Sequence, residues 1–232
     1  MPQLSFIIPC KNDLLIKRLL RALSRQTFRD FEVVVVDSSD TRLDYSQFPL
    51  NLKVIHADCW IGTARNVGAE HANGDIIAYV DADTVVPPDF AETVVQIFNS
   101  EPSLVGLAIP IYPTKVNPFI NLIYKFQRFL IEFSFRFGRP RISGACCVYR
   151  RRILKLRKFL DLVGDDILFS SDTPKLGKVA FTRKVRAYEE PRRWTSGIKA
   201  LKSFLYYLPS YILLLLMMIG AHKPLSRRSV CA

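Results

Sequence analysis

The chain of 232 residues is 49% hydrophobic, which is enough for a substantial core and excludes a disordered chain. Its 33 lysines and arginines outnumber its 21 aspartates and glutamates, and the net charge of +12 favours nucleic acid, phosphorylated substrates or anionic membranes as partners. Its five cysteines fit no zinc-binding spacing, and a chain this long needs no disulfides, so we expect reduced thiols in a cytosolic setting.

The first hundred residues alternate between short apolar runs and helical patterns. Strands are predicted at residues 4–9, 31–36, 52–56 and 76–80, and helices at residues 14–24, 62–72 and 88–98. Continuous β-branched runs, such as the one at residues 31–36, are typical of parallel strands that are covered on both faces. The sequence therefore predicts an α/β fold in which a mostly parallel sheet is flanked by helices.

Acidic residues stand at the ends of two predicted strands. Asp37 follows the second strand, and Asp81 and Asp83 follow the fourth. In open α/β sheets ligands bind beyond the carboxyl ends of the strands, so these acids are expected along one binding edge. Two carboxylates separated by one residue can also face a single Mg²⁺ or Mn²⁺ ion, with substrate phosphates supplying further ligands. A strand-end turn with solvated acids remains the alternative.

The second half of the chain contains three unusual segments. Residues 117–138 carry six phenylalanines and predict a strongly apolar helix. Residues 150–158 contain six basic residues, which form either a solvated helix face or a surface for phosphate or anionic lipid. Residues 204–221 are uncharged between basic flanks and predict a C-terminal hydrophobic helix that spans a membrane or lies in its interface. The alternative for this last segment is a buried core helix.

Four segments of the first hundred residues together resemble the inverting family 2 glycosyltransferases. They are residues 6–12 (FIIPCKN), 24–37 (SRQTFRDFEVVVVD), 62–68 (GTARNVG) and 72–83 (ANGDIIAYVDAD). The resemblance extends over residues 3–195, and residues 176–181 look like a later strand of the family. It implies the GT-A fold, which is a nucleotide-binding α/β sheet joined to an acceptor-binding half.

We accordingly expect four regions along the chain. They are a nucleotide-sugar-binding half at residues 1–100, an acceptor-binding half at 101–197, a hydrophobic membrane-associated segment at 198–221 and a basic tail at 222–232. The resemblance further implies that Asp81 and Asp83 hold the metal ion and the donor diphosphate or ribose, with Arg65 near the diphosphate. The other implied donor-binding residues are Pro9, Lys11, Asn12, Asp37, Ser38 and Ala82. A helix-surface position is the alternative for Arg65.

Two later motifs supply the implied catalytic and leaving-group residues. Inverting transfer needs a base for the acceptor hydroxyl. Gly164-Asp165-Asp166 matches the family's base motif, which implies Asp166 as the base and Asp165 as an acceptor contact or as support for the base. Residues 190–194 (EPRRW) are similar to the family's Gln-x-x-Arg-Trp motif, which implies that Arg193 meets the leaving diphosphate and Trp194 stacks on a sugar. A helix cap and a basic entry to a membrane helix are the respective alternatives.

The chain departs from the family pattern at two places. Ser38 stands where many relatives have a second aspartate that reads the nucleotide base, so both UDP- and GDP-linked donors remain open. Residues 158–161 (KFLD) replace the usual Gly-Gly-Phe-Asp-Glu, which leaves the acceptor open as well.

The sequence as a whole predicts a metal-dependent, inverting hexosyltransferase of glycan biosynthesis. It would use Mg²⁺ or Mn²⁺, a nucleotide-sugar donor and a glycan or lipid-linked acceptor such as a polyprenyl phosphate. We expect membrane association with the catalytic domain in the cytoplasm, and no nucleic-acid partner. The first alternative is a non-catalytic, membrane-bound nucleotide-sugar binder. The second is a sugar nucleotidyltransferase, which residues 5–13 disfavour because they lack the glycine-rich loop of that class.

Overall fold

The structure is a computed structural model that describes residues 1–196, 198–200, 202–203, 205–206, 208 and 212. Its strands are β1 (Leu4–Cys10), β2 (Phe31–Asp37), β3 (Leu52–His56), β4 (Ile76–Val80), β5 (Thr84–Val85), β6 (Leu104–Ala108), β7 (Ile111–Pro113), β8 (Cys146–Arg150), β9 (Lys178–Phe181) and β10 (Ala187–Glu189). Its helices are α1 (Ile16–Leu23), α2 (Ile61–His71), α3 (Phe90–Ser100), α4 (Pro118–Arg136), α5 (Arg151–Leu154) and α6 (Asp165–Asp172).

A seven-stranded sheet forms the centre of the fold, in the order β3-β2-β1-β4-β8-β6-β9. β8 is antiparallel to both β4 and β6, and the other pairs are parallel, so the predicted mostly parallel α/β sheet is confirmed. The chain moves from β1 outward to β2 and β3 on one side and to β4 on the other. The carboxyl ends of β1 and β4 therefore border the topological switch point, where ligands bind in such sheets.

Each face of the sheet carries its own apolar core, because successive side chains of a strand point to opposite faces. Phe6 and Ile8 of β1 pack with buried residues of α1 and α3, whereas Ile7 packs with buried residues of α2. Gly68 lies where α2 crosses β1, and a Cβ atom there would overlap the side chain of Ile7. This close approach gives the glycine of the GTARNVG segment a physical role, since it lets α2 lie directly on the sheet.

A second sheet of three short strands, in the order β5-β10-β7, lies beyond the end of β4. The pairing of β10 with β5 places Glu189 opposite Thr84, one residue after Asp83. The pairing of β10 with β7 is parallel, and the sequence patterns had predicted neither β7 nor β10. This small sheet brings residues near position 190 to the acids that follow β4.

Of the two apolar segments predicted in the second half of the chain, the structure describes the first as a helix and leaves most of the second undescribed. The apolar helix predicted at residues 117–138 is confirmed as α4, which Asn117 caps by accepting a hydrogen bond from the Ile120 amide at 2.7 Å. The segment 204–221 lies almost entirely outside the described residues. Within the part of the chain that the structure describes, no helix is long and apolar enough to cross a membrane.

The basic run at residues 150–158 comprises the last residue of β8, the short helix α5 and a following turn. Arg150, Arg157 and Lys158 make ion pairs with Asp75, Asp172 and Glu70, respectively. Arg150 also donates a hydrogen bond to the backbone carbonyl of Phe98. Arg151 and Arg152 donate to the backbone carbonyls of Asn73 and Pro102, so five of the run's six cations tie this segment to the rest of the domain. These contacts weaken its interpretation as a surface for phosphate or lipid.

Candidate active site

Asp81 and Asp83 lie directly beyond β4, as the sequence predicts. The turn between them is fixed by backbone hydrogen bonds from Asp81 to the Ala145 carbonyl at 3.0 Å and from Thr84 to the Asp81 carbonyl at 2.9 Å. Burial raises the pKa of the Asp81 carboxyl to about 6, assisted by the charge of Asp83 and opposed by that of Arg65. The two carboxylates therefore form a site in which negative charge needs a cationic partner.

Arg65 of α2 supplies one such partner and is almost completely buried, with 3% of its side chain exposed. Its guanidinium donates to the Asp81 carboxylate at 3.2 Å and to the Gly144 carbonyl at 3.0 Å, and it lies 3.6 Å from the Asp165 carboxylate. Burial opposes the charge of Arg65, but the surrounding carboxylates raise its pKa further above the usual range. A helix-surface position for Arg65 is therefore excluded, and the residue links the Asp81 segment to the Asp165 segment.

Asp165 and Asp166 begin α6, immediately after Gly164, which adopts the left-handed conformation at φ +82° that glycine tolerates best. Asp166 accepts hydrogen bonds from the amides of Gly144 and Ile167, both at 3.0 Å. Burial raises the pKa of Asp165 to about 7, because the attraction of Arg65 only partly offsets it and Asp166 adds repulsion. The Oδ2 atom of Asp165 is buried and has no hydrogen-bond partner among the described residues.

Glu189 is an acid of this site that the sequence analysis did not identify. Burial and the charge of Asp83 raise its pKa to about 7, and its carboxylate accepts a hydrogen bond from the Tyr124 hydroxyl at 3.0 Å. The available signal in the sequence was its place immediately before the EPRRW segment. The β10–β5 pairing that brings it to Asp83 joins residues that are more than one hundred positions apart.

The next residue, Glu190, has a different environment. Its carboxylate accepts hydrogen bonds from Arg18 and Thr114, both at 2.8 Å, and forms an ion pair with Lys115 at 3.0 Å. Burial by itself would raise the pKa of Glu190, but these hydrogen bonds lower it to about 2. Glu190 therefore fixes the segment that carries Arg192, Arg193 and Trp194.

Arg192 is a second residue that the sequence analysis missed. Its guanidinium bridges Asp83 at 2.6 Å and Asp13 at 2.8 Å, and so joins the β1–α1 loop to the acid that follows β4. Arg193 and Trp194, the two residues named from the motif, line the adjacent cavity. The neighbouring arginines thus have different positions: Arg192 pairs with Asp83, and Arg193 lines the cavity.

Of the six other predicted donor-binding residues, Ala82 is buried between Asp81 and Asp83. The other five lie at the carboxyl ends of β1 and β2, beside one another but outside the cavity. Asp37 is buried and accepts hydrogen bonds from the Tyr45 hydroxyl and the Ser39 amide, both at 2.9 Å. Ser38 donates to the Ala57 carbonyl at 2.7 Å. The remaining three of these residues are Pro9, paired with Val36 in the sheet; Lys11, 3.5 Å from Asp58; and Asn12, hydrogen-bonded to Asp40.

A cavity of about 220 Å³ brings the key residues together. Its charged lining consists of Arg65, Asp81, Asp165, Asp166, Glu189 and Arg193, together with basic residues from α4 and the 139–145 loop. Trp194 and the apolar side chains of Ile61, Leu162 and Val163 border the same space. The predicted catalytic base Asp166, its neighbour Asp165 and the predicted metal ligand Asp81 therefore line one cavity. The second predicted metal ligand, Asp83, does not line it.

The acids at the end of β4 fit a hard divalent cation in their chemistry, since Mg²⁺ and Mn²⁺ prefer carboxylate oxygens. Asp83 already holds the Arg192 guanidinium, which shows that a cation can be accommodated on this carboxylate. Within the described residues, no group of three or more histidine, cysteine, aspartate or glutamate side chains could surround one ion. Asp81 and Asp83 would therefore need phosphate oxygens or water as additional ligands.

Comparison with known proteins identifies the family and the fold. The profile of the family described as Glycosyl transferase family 2 matches residues 5–157. The chain is 30% identical over 112 residues to a putative glycosyltransferase, EpsH, of Bacillus subtilis, covering 45% of this chain and 33% of that protein. It is 36% identical over 104 residues to validoxylamine A glucosyltransferase of Streptomyces hygroscopicus, covering 40% and 23%, respectively. The matches thus span about a quarter to a third of these relatives.

Solved structures share the whole fold at low sequence identity. S. aureus TarS in complex with UDP superposes with a TM-score of 0.65 at 21% identity, covering 99% of this chain and 74% of that one. The mannosyltransferase PcManGT from Pyrobaculum calidifontis, in complex with GDP-Man and Mn²⁺, gives 0.65 at 21% identity, covering 96% and 76%. The fold is therefore of the GT-A type. With the family profile covering residues 5–157, the chain belongs to glycosyl transferase family 2.

Proposed function

We propose that the protein transfers a sugar from a nucleotide-sugar donor to an acceptor with inversion at the anomeric carbon. The observation that carries this proposal is the shared cavity, in which Asp166 and Asp165 face the same space as Asp81 and Arg193. An inverting reaction requires a base on the acceptor side and stabilisation of the leaving diphosphate on the other. The cavity contains residues suited to both tasks.

The donor would bind along the edge formed by the ends of β1, β2 and β4. The structural relatives TarS and PcManGT bind UDP and GDP-Man, respectively, which supports a nucleotide-sugar donor without choosing the base. Asp81 and Asp83 would hold Mg²⁺ or Mn²⁺, and the ion would neutralise the negative charge of the diphosphate. Arg193 lines the cavity beside these acids and is suited to contact phosphate oxygens through its planar guanidinium.

Asp166 is the proposed base. Its carboxylate is oriented by the Gly144 and Ile167 amides, so it is held in place before an acceptor arrives. It would accept the hydroxyl proton as the acceptor oxygen attacks the anomeric carbon, while the bond to the nucleoside diphosphate breaks. Asp165 supports this position, because its carboxylate lies beside Arg65 and fixes the start of α6.

A lipid-linked acceptor at the cytosolic membrane face is the finer part of the proposal. The cavity is bordered by Ile61, Leu162 and Val163, which are 38–45% exposed and would tolerate an apolar chain at the mouth. The net charge of +12 is compatible with an anionic membrane and with a phosphate-bearing acceptor. A polyprenyl phosphate or a lipid-linked glycan combines both features.

The test is donor binding by the full chain in detergent. UDP- and GDP-sugars would be titrated calorimetrically with Mn²⁺, with Mg²⁺ and with chelator. We expect metal-dependent binding of one nucleotide class, weakened on the order of tenfold to a hundredfold in Asp83→Ala. Asp89→Ala is the control, since Asp89 is an exposed aspartate six residues further along the chain, just before α3, and its side chain makes no cap hydrogen bond. Absence of nucleotide binding under every metal condition would disprove the proposal.

A further inference from the structure

Helix α4 carries apolar side chains on two opposite faces. Its inner face is buried against the domain through Ile120, Tyr124 and Ile131. Its other face carries a row that we call the outer stripe, formed by Phe119, Leu122, Phe126, Phe129, Phe133 and Phe137. Five of these six residues, all except Phe133, are 50–65% exposed. An apolar helix face is normally covered by another element or by a partner.

The outer stripe is one continuous surface. Its members follow each other at intervals of three or four residues, which places them on the same side of a helix. The rings of Phe129 and Phe133 stack with centroids 5.5 Å apart, and those of Phe133 and Phe137 meet edge to face at 4.9 Å. The 18 residue steps from Phe119 to Phe137 give a length of about 27 Å. An exposed apolar surface of this length indicates an interaction site.

The charges beside the outer stripe select the class of partner. Lys125 and Arg136 are exposed on α4 next to the stripe. The single acid of the helix, Glu132, is engaged by Arg183 at 2.6 Å and so presents little free negative charge. Aromatic residues on one face with cations beside them are typical of helices that lie in the headgroup region of anionic membranes.

The position of α4 links this surface to the cavity. Gln127, Arg128 and Ile131 of the same helix line the cavity on the side away from the outer stripe. A helix with its side chains is about 10–12 Å across, so the cavity is one helix diameter from whatever covers the stripe. Arg128 is held in place by a hydrogen bond to the Ile111 carbonyl at 3.0 Å and by the ring of Tyr112.

We infer that the outer stripe of α4 docks on an anionic lipid bilayer and holds the cavity at the level of the lipid headgroups. The inference deepens the proposed function and rests on it only for the lipid-linked acceptor, since docking itself needs no reaction. It places membrane contact on a helix within the catalytic domain, in addition to any contact made by residues 204–221. The other possible occupants of the stripe are that C-terminal segment and a second copy of the chain.

Vesicle binding by the full chain tests the inference. Phosphatidylcholine vesicles would be compared with vesicles that also contain phosphatidylglycerol, by co-sedimentation. We expect binding to the anionic vesicles that weakens as salt is added, because exposed charges are screened. The double variant Phe126→Ser with Phe129→Ser should lose binding by on the order of tenfold per phenylalanine. Leu14→Ser with Leu156→Ser is the control, because these leucines are 65% and 72% exposed elsewhere on the surface.

A photo-crosslinking amino acid at position 126 identifies the occupant directly. Adducts with lipid on illumination of vesicle-bound protein support the inference. Adducts with residues 204–221 or with a second chain, or equal vesicle binding by the stripe and control variants, would overturn it. Donor titration without vesicles separates the two proposals. If the stripe variant no longer binds vesicles but still binds the donor, membrane docking is supported independently of donor binding. If the unmodified protein binds vesicles but no donor, the proposed function is disproved and the docking inference is not.

Discussion

Two groups of buried and half-buried acids in this protein have opposite environments. Asp37 and Glu190 have hydrogen-bonding or ion-pair partners on both carboxylate oxygens, and the contacts of Glu190 join separate segments of the chain. Asp81, Asp165 and Glu189 face the cavity, and burial raises the pKa of each. Carboxylates thus stabilise the fold in the first group, whereas in the second they are available to bind ligands, because fewer hydrogen-bond donors surround them.

The largest effect is expected for Asp166→Asn. The variant keeps the shape of the side chain but removes the proton acceptor, so turnover with a hydroxyl acceptor should fall by about 100-fold or more. Donor affinity, measured by titration, should remain within a factor of two or so, because the leaving-group side of the cavity is unchanged. Asp172→Asn is the control on the same helix. Undiminished turnover in Asp166→Asn would assign the base to another group.

Glu190→Gln tests the first group, in which both carboxylate oxygens have hydrogen-bonding or ion-pair partners. A neutral amide cannot accept from Arg18, Lys115 and Thr114 equally well, so we expect a loss of about 1–3 kcal/mol in the free energy of unfolding. Urea unfolding at pH 7 measures it, and Glu70→Gln, which removes one exposed ion pair with Lys158, should cost less than about 1 kcal/mol. The pKa of Glu190 is lowered, so its contribution should be lost as pH falls from about 4.5 towards 2. Equal losses in the two variants would contradict this contrast.

Asp165 should give the opposite pH dependence. Its pKa is raised to about 7 from a usual value near 4, so between these pH values the folded state binds a proton that the unfolded state has released. The free energy of unfolding should therefore fall as pH rises from about 4 to about 7, by roughly 1–4 kcal/mol from this residue. Urea midpoints across this range should fall less steeply in Asp165→Asn. An unchanged slope in that variant would show that Asp165 is not responsible.

Arg192→Ala should have the smallest effect on stability and ligand affinity. It tests the ion pair with Asp83, the acid beside the cavity. Arg192 is about half exposed, so the loss of stability should stay below about 1 kcal/mol. Mn²⁺ affinity, followed by calorimetry, should rise by up to about fivefold because the guanidinium no longer competes for Asp83. Arg193→Ala serves as the comparison, since that residue lines the cavity instead. Weaker Mn²⁺ binding in Arg192→Ala would mean that Arg192 helps to build the metal site.

Much of the sheet could be predicted from local sequence. The strands at residues 52–56 and 76–80 were predicted with their observed bounds, because β-branched runs bounded by polar residues leave little choice of structure. The patterns beyond residue 100 were less informative. β8 inserts antiparallel between β4 and β6, and the short strands β7 and β10 pair with partners far away in sequence. Such pairings are set by tertiary contacts rather than by local preference.

The sequence by itself determined where the acids at residues 37, 81 and 83 would gather, since parallel strands present their carboxyl ends at one edge of a sheet. Tertiary structure alone decided what surrounds them. Arg65 meets Asp165 because the 144–166 region returns along α2, and Glu189 reaches the cavity because β10 pairs with β5. The environments of Asp165 and Glu189 depend on groups that approach from distant parts of the chain, and no local pattern encodes those approaches.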